Sequence, residues 1–254
     1  MAAEFRLVFD TIPEQFDQYR SRYCAPLFAD LIEYAGVGAG ARVMELGPGT
    51  GQATEPILDT GCDYLGVELG EHLAAFMRQK FGDRPNFHLV NDDFITHDFG
   101  AAAFNMIYSA ATIQWIPEEI AFSKTFSLLK PGGTLAMMLT RGDYRTPNEA
   151  LFNSIQAVYD AYFHPTEHYK GGFQYKNAVN YGFVGFETRE YPRVRTFTAD
   201  EYVAFTGTHC DHIVLPEPYR SKFFDGIRQA IMDAGGQLVS YETDVLYLTK
   251  KPSP

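Results

Sequence analysis

Short apolar runs alternate with helical patterns along the first part of the chain, and this alternation constrains the fold more than any other feature. A strand, a turn and an amphipathic helix follow one another repeatedly. The apolar runs that we interpret as strands are 42–46, 64–67, 87–90, 104–108 and 134–139. Because parallel strands need crossover helices between them, the pattern predicts a doubly wound α/β fold with a parallel sheet covered on both faces.

The pattern changes after residue 141. Helices are predicted at 149–162, 199–205 and 219–234, and strands at 186–194 and 238–249. The stretch 144–183 is rich in Tyr and Phe, is punctuated by glycine and lacks sheet periodicity. We interpret it as a lid over a site, and packing in the core or in an interface is the alternative.

Composition narrows the class of protein. The chain has 254 residues, of which 46% are hydrophobic, so it can bury one large core. No apolar run reaches the roughly 20 residues that cross a bilayer, and the first residues lack a secretion signal, so we expect a cytoplasmic protein. The net charge of -11, with the acidic excess mostly in residues 1–140, argues against a nucleic-acid partner.

A glycine-rich turn follows the first apolar run. Gly47, Gly49 and Gly51 alternate there, which lets the backbone approach a ligand closely. The fingerprint of dinucleotide folds has a third glycine where this chain has Gln52. Glu45, two residues before the first glycine, would repel a pyrophosphate and suits a ligand that carries an amino group. The turn therefore predicts a nucleoside-like ligand with an amine.

Two further carboxylates follow the next two strands. Glu68 ends the second strand, where an acid can accept both hydroxyls of a ribose. Asp93 follows the third strand, where an acid can accept from an adenine amine while Phe94 packs on the ring. Asp92 is the alternative to Asp93, since adjacent acids cannot both face one adenine. Ligands of such sheets bind at the carboxyl ends of strands, so one adenosine pocket is predicted.

Residues 41–140 resemble the core of class I S-adenosylmethionine-dependent methyltransferases. The stretch 43–51 resembles the first motif of that family, the 109–115 segment (SAATIQW) resembles the one beside the methionine moiety, and 130–133 (KPGG) resembles the turn before the fifth strand. The resemblance implies S-adenosyl-L-methionine as cofactor and the cofactor-binding residues Glu45, Gly47, Gly49, Gly51, Glu68, Leu69, Asp93, Phe94, Ser109, Gln114 and Trp115. Gln114-Trp115 and the 197–248 tail are most similar to the trans-aconitate methyltransferase branch.

The resemblance also implies an architecture. We expect a Rossmann-like, seven-stranded, mostly parallel sheet whose last strand is antiparallel, with a helical, aromatic-rich lid insertion. The single domain 1–254 would comprise an N-terminal helical cap (1–35), a cofactor-binding core (36–141), a lid or substrate insertion (142–196) and a C-terminal completion of the fold (197–254).

Methyl transfer from a sulfonium is an in-line displacement, so alignment and exclusion of water can supply most of the catalysis. A carboxylate acceptor needs positioning, whereas a hydroxyl or ammonium acceptor needs a base. Tyr19 and Arg20, in a segment that resembles the family's leading helix, and His209 and His212 are the catalytic candidates. A structural role or metal ligation is the alternative for the two histidines, and no metal is expected.

The predicted function is methyl transfer to an oxygen, carboxylate or hydroxyl, or to another nucleophile of a small-molecule acceptor, by a monomer or homodimer with no nucleic-acid or membrane partner. One alternative is an NAD(P)-dependent oxidoreductase, against which the missing third glycine counts. The other is a non-catalytic module that binds adenosylmethionine. Calorimetry with adenosylmethionine and with NAD distinguishes the methyltransferase from the oxidoreductase. Methyl transfer to a metabolite panel distinguishes the methyltransferase from the non-catalytic module.

Overall fold

The computed structural model describes residues 5–100 and 103–253, and its chain falls into two compact units. The strand-rich unit comprises Ser21–Thr140, Gly171–Tyr191 and Asp244–Pro254. The helix-rich unit comprises Met1–Arg20, Arg141–Lys170 and Pro192–Thr243. Each unit combines segments that are distant in the sequence. The division into cap, core, lid and completion segments stays a prediction.

Seven strands form one sheet in the order β3-β2-β1-β4-β5-β7-β6. The sheet is mostly parallel and its last strand is antiparallel, so the predicted fold class is confirmed. The strands are β1 (Arg42–Leu46), β2 (Asp63–Glu68), β3 (Phe87–Asn91), β4 (Phe104–Ala110), β5 (Leu129–Asp143), β6 (Val184–Thr198) and β7 (Gln237–Lys250).

The helices follow the apolar periodicity of the sequence closely. The helix predicted at 149–162 has the predicted ends, and Pro117 lies at the N-cap of the helix that follows it. The helices are α1 (Pro13–Tyr19), α2 (Ala25–Ala35), α3 (Glu55–Leu58), α4 (Glu71–Phe81), α5 (Glu118–Leu128), α6 (Glu149–Tyr162), α7 (Ala199–Thr206), α8 (Cys210–Ile213) and α9 (Tyr219–Asp233). Within the described ranges, none of them is both long enough and apolar enough to span a bilayer.

The expectation of a turn at 130–133 was wrong, because β5 already begins at Leu129. Leu129 pairs with Phe104 of β4, and a register shift separates this pair from the rest of the ladder. The Gly132 amide donates to the Lys251 carbonyl oxygen at 3.0 Å, and the Lys251 amide donates to Gly133 at 2.9 Å. The glycines therefore form an irregular start of the strand, satisfied by the end of the chain, which local sequence does not reveal.

Alternate side chains of the strands supply two cores of the strand-rich unit. Val43 belongs to one buried cluster, while Met44 and Leu46 belong to the other. Such alternation places the two clusters on opposite faces of a sheet. The helix-rich unit has its own cluster, in which Phe223 and Ile227 of α9 pack with Ile155 of α6.

The aromatic residues at 173–183 pack on the second of these sheet clusters. Phe183 is 2% exposed, and its ring lies 5.1 Å from Phe126 between centroids. Phe173 lies 5.2 Å from Phe122, and Tyr175 stacks on Tyr247. These side chains therefore contribute to the core, which was the alternative to a lid. The lid role of 142–196 as a whole stays a prediction.

Candidate functional site

The carboxyl ends of the first four strands lie level with one another. Leu46 pairs with Val67 of β2 and with Ser109 of β4, and Val67 pairs with Val90 of β3. All of these pairs are parallel, so the four following loops start from the same edge of the sheet. The predicted residues Glu45 to Trp115 therefore lie at or next to one sheet edge, within the strand-rich unit.

The loop after β1 depends on its glycines. Gly47, Gly49 and Gly51 have φ values of 59°, 61° and 88°, in the left-handed region where other residues are strained. A Cβ atom at Gly47 would overlap the Thr112 side chain, whose hydroxyl donates to the Gly47 carbonyl oxygen at 3.0 Å. A Cβ atom at Gly51 would overlap Phe81. The loop is therefore folded tightly against its neighbours.

Glu68 ties two loops together. Its Oε2 accepts the Gly49 amide at 2.9 Å, and its Oε1 accepts the Gly70 amide, at the start of α4, also at 2.9 Å. The residue is only 5% exposed. Glu68 is thus held by backbone amides in a fixed orientation.

The loop after β3 is joined to the loop after β2 by side-chain and backbone bonds. The Asn91 side-chain amide donates to the carbonyl oxygens of Glu68, Leu69 and Gly70 at 2.9, 3.2 and 3.3 Å. The Asp92 backbone amide donates to the Glu68 carbonyl oxygen at 3.0 Å. These bonds hold Leu69 and the following loop at the same edge as the glycine turn.

Asp92 and Asp93 have different surroundings. The Oδ2 of Asp92 lies 2.8 Å from Nδ1 of His97, and this hydrogen bond lowers the pKa of the exposed Asp92 carboxyl. Asp93 is partly buried, and its Oδ1 accepts the Ile95 amide at 2.9 Å, which fixes the local turn. The choice of Asp93 over Asp92 as a ligand contact stays a prediction.

Phe94 is largely buried, and its contact with an adenine ring stays a prediction. It is 6% exposed and belongs to the second sheet cluster, with its ring 5.7 Å from Phe99. The ammonium of Lys124 lies 5.0 Å from the Phe94 ring centroid. The side chain therefore anchors the loop that carries Asp93.

The segment after β4 contains a strained residue. Ala111 has a φ of 56°, which is unusual for a residue with a Cβ atom and is typical of functional sites. A short 3₁₀ helix, Ile113–Trp115, follows. Its first amide donates to the buried Ser109 hydroxyl at 2.8 Å, and the Gln114 side chain donates to the Ala111 carbonyl oxygen at 2.9 Å. Ser109 and Gln114 thus brace this backbone, and Trp115 is partly buried beside them.

Glu45 is the centre of a buried network whose other members we did not predict. Its Oε2 accepts hydroxyls from Thr54, Tyr64 and Tyr108, each at 2.6 Å. Its Oε1 is buried and has no hydrogen-bond partner. Burial raises the pKa of Glu45, although the three hydroxyls oppose that rise. The parallel register that places Tyr108 opposite Glu45 was the signal that could have revealed the network.

The four catalytic candidates lie in the helix-rich unit. Arg20 donates to the Thr208 carbonyl oxygen at 2.9 Å, next to His209 in the chain, and its guanidinium lies over the Phe16 ring. The Tyr19 carbonyl oxygen accepts from Arg195 at 3.3 Å. The structure therefore places Tyr19 and Arg20 within the same unit as the two histidines.

Both histidines are held in an aromatic environment and are neutral near physiological pH. Desolvation lowers the pKa of His212 to about 4, and desolvation together with the Arg20 charge lowers that of His209 well below its usual value. The Tyr159 hydroxyl lies 2.9 Å from Nε2 of His212, and Nδ1 of His209 lies 3.0 Å from the Thr206 carbonyl oxygen. Among the described residues, no group of three or more His, Cys, Asp or Glu could hold a metal ion.

Residues 44–137 match the methyltransferase domain family. The small-subunit ribosomal RNA methyltransferase A of Synechococcus sp. is 45% identical over 21% of this chain and 19% of the relative. Its counterpart from Pseudomonas putida is 33% identical over 39% of this chain and 37% of the relative. The chain thus spans well under half the length of these curated relatives.

Similarity to a solved structure extends over nearly the whole chain. Phosphoethanolamine N-methyltransferase 2 of Haemonchus contortus, in complex with phosphomonomethylethanolamine and S-adenosylhomocysteine, has a TM-score of 0.59 at 16% identity. The alignment covers 98% of this chain and 60% of that one. At this identity the likeness shows the fold alone.

Proposed function

We propose that the chain binds S-adenosyl-L-methionine and transfers the methyl group to a small-molecule acceptor, because residues 44–137 match the methyltransferase domain family. The single observation that carries the proposal is the Glu68 carboxylate. It is fixed by the Gly49 and Gly70 amides at the shared edge of four parallel strands. A carboxylate fixed at this position suits the two hydroxyls of a ribose.

The residues of the strand-rich unit fit the cofactor. The positive φ values and the tight contacts of Gly47 and Gly51 fix the shape of the glycine turn, whose Gly49 amide binds Glu68. The unpartnered Oε1 of Glu45 is a buried acceptor that an ammonium group would satisfy. Asp93 would accept from the adenine amine, and Leu69, Phe94, Ser109, Gln114 and Trp115 would complete the binding residues.

When bound, S-adenosylmethionine supplies a methyl group on a sulfonium, which is already activated for displacement. The chain's own residues then need to orient the acceptor and exclude water. We propose Tyr19, Arg20, His209 and His212 for this part. A guanidinium and a phenol would position a carboxylate acceptor, whereas a neutral imidazole could take the proton of a hydroxyl or ammonium acceptor.

The small-molecule acceptor is supported by charge. With a net charge of -11, the chain would repel a phosphate backbone. The phosphoethanolamine methyltransferase with a similar fold acts on a small molecule by its name. The ribosomal RNA methyltransferases favour RNA as a second candidate acceptor, but they match only 21% and 39% of this chain.

Calorimetry tests the proposal first. We expect S-adenosylhomocysteine to bind and NAD to bind at least about tenfold more weakly, a difference of about 1.4 kcal/mol. Methyl transfer to a metabolite panel and to ribosomal RNA fragments then distinguishes the acceptors. Tighter binding of NAD would favour the oxidoreductase alternative. Binding of S-adenosylhomocysteine without transfer to any acceptor would favour a non-catalytic module.

A further inference from the structure

Glu45 is satisfied on one side only. Thr54, Tyr64 and Tyr108 come from the start of α3, from β2 and from β4, and all three direct their hydroxyls at the same oxygen, Oε2, at 2.6 Å. All four side chains are fully buried. The second oxygen, Oε1, is buried without a hydrogen-bond partner. The carboxyl group is therefore held in one orientation, and its Oε1 atom makes no hydrogen bond.

The hydroxyls facing Glu45 stay protonated over the ordinary pH range. Burial and the Glu45 charge raise the pKa of Tyr64 and of Tyr108 well above its usual value. Cys62 is a further titratable group that faces Tyr108, and burial raises its pKa too. Within residues 5–100 and 103–253, no Lys, Arg or His is paired with Glu45. Nothing positive therefore compensates a charge on this carboxyl.

A buried carboxyl without a cation is costly to ionise. Transfer of a charge into the interior disfavours the ionised form, and three hydroxyl donors offset only part of that cost. Burial accordingly raises the pKa of Glu45 in the free protein. An ammonium group beside Oε1 would reverse the balance, because an opposite charge at close range favours the carboxylate.

We propose that Tyr64 and Tyr108 are positioning residues that orient Glu45 through Oε2, and that Glu45 is a neutral acid in the free protein and releases one proton when it receives the ammonium group of the cofactor. The inference rests on the proposed function. The O–H bond of the carboxyl breaks, its electron pair stays on the carboxylate and the proton passes to the solvent. No oxidation or reduction takes place.

The direct test is isothermal titration calorimetry of the whole chain with S-adenosylhomocysteine, in buffers of different ionisation enthalpy at one pH. The slope of enthalpy against buffer ionisation enthalpy counts the protons released. We expect up to about one proton per ligand below the free-state pKa of Glu45 and none well above it. The affinity should weaken by at most about tenfold per pH unit as the pH falls through that pKa.

The control ligand for S-adenosylhomocysteine is 5′-methylthioadenosine, which keeps the adenosyl group and lacks the ammonium group. It should bind without releasing a proton. Glu45→Gln should still bind S-adenosylhomocysteine, more weakly, and should also release none. If that variant does not fold, infrared difference spectra of the unaltered chain give the same information, because ligand binding should remove the carbonyl band of a protonated carboxylic acid.

Single hydroxyl deletions separate positioning from mere packing. Tyr64→Phe and Tyr108→Phe each remove a donor to Oε2, so the pKa of Glu45 should rise further and the pH window of proton release should move upward. Tyr191→Phe is the matched control, since it removes a 2.6 Å bond to the carboxylate of Asp30 in the same unit. Tyr191→Phe should leave the pH window of proton release unchanged. If Tyr64 and Tyr108 had a purely structural role, this pH window would be unchanged in all three variants.

The outcomes distinguish the inference from its premise. Tight binding of S-adenosylhomocysteine without proton release at any pH overturns the inference alone, as does undiminished release by Glu45→Gln. Failure of both ligands to bind overturns the proposed function and the inference with it.

Discussion

The strand-rich unit buries a carboxyl group and the helix-rich unit buries an imidazole, and the two respond to pH in opposite directions. Desolvation raises the pKa of Glu45 and lowers that of His212 to about 4. In both cases burial favours the neutral form. The difference is in the partners, because Glu45 has three donors on one oxygen while His212 has the Tyr159 hydroxyl on one nitrogen.

The comparison separates the parts that the two units would contribute. The strand-rich unit holds its polar groups with backbone amides and buried hydroxyls, as a ligand cradle requires. The helix-rich unit surrounds its histidines with rings, including Tyr159, Phe163 and Phe223 around His212. Variants in the strand-rich unit should therefore change ligand affinity. Variants around the histidines of the helix-rich unit should change acid stability and turnover.

The largest effect is expected for Gly47→Ala. A left-handed φ costs about 1–2 kcal/mol for a residue with a Cβ atom, and the overlap with Thr112 adds about 1–3 kcal/mol. Binding of S-adenosylhomocysteine should fall accordingly, as measured by calorimetry. Gly36→Ala is the control, because Gly36 has a φ of 62° with no atom near its Cβ position. Equal losses in both variants would exclude a special role for the glycine turn.

The next effect concerns acid stability of the helix-rich unit. An unfolded histidine binds a proton near pH 6.5, whereas folded His212 does so near pH 4, so stability is lost as the pH falls through this interval. The loss is about 3 kcal/mol. Urea unfolding of His212→Phe should show a shallower pH dependence by that amount. The exposed His88→Phe should keep the full dependence, and a kcat loss in His212→Phe at unchanged ligand affinity would support an acceptor role.

Glu68→Ala should weaken S-adenosylhomocysteine binding by about 1.5–3 kcal/mol, the range for hydrogen bonds to a charged group. The Gly49 and Gly70 amides also lose their acceptor, so the free protein should be less stable as well. Calorimetry and thermal unfolding measure the two effects. Glu71→Ala, an exposed acid at the start of α4, should change neither by more than about 0.5 kcal/mol. Unchanged affinity of Glu68→Ala would remove this residue from the site.

The smallest effect is expected at the start of α7. The Thr198 hydroxyl accepts the Glu201 amide, and the Glu201 carboxylate accepts the Thr198 amide in return. Thr198→Ala should cost about 1 kcal/mol of stability in urea unfolding and leave ligand affinity unchanged. A change in affinity would contradict the separation of the two units. Thr196→Ala, at an exposed strand position, is the control.

Local features were predictable from the sequence because they depend on neighbours in the chain. The bounds of β1 and α4 follow directly from apolar periodicity and glycine. A methyltransferase-like core was also predictable from Gly47 to Gly51 with Glu68, and residues 44–137 match the methyltransferase domain family. The assignment to the trans-aconitate methyltransferase branch stays a prediction.

Features that depend on tertiary pairing were not predictable. The Pro131-Gly132-Gly133 run resembles a turn, yet Lys251, the residue after β7, pairs with its backbone and β5 includes it. The tyrosines that hold Glu45 come from two other strands, so only the sheet order brings them together. Burial of Phe94 likewise depends on Phe99 and on the Lys124 of α5.

The most direct test is a crystal structure of the chain with S-adenosylhomocysteine. We expect both ribose hydroxyls within hydrogen-bond distance of the Glu68 carboxylate, the adenine amine at Asp93 and the ammonium at Oε1 of Glu45. A ligand bound elsewhere, or a ribose that does not contact Glu68, would contradict the proposed adenosyl site.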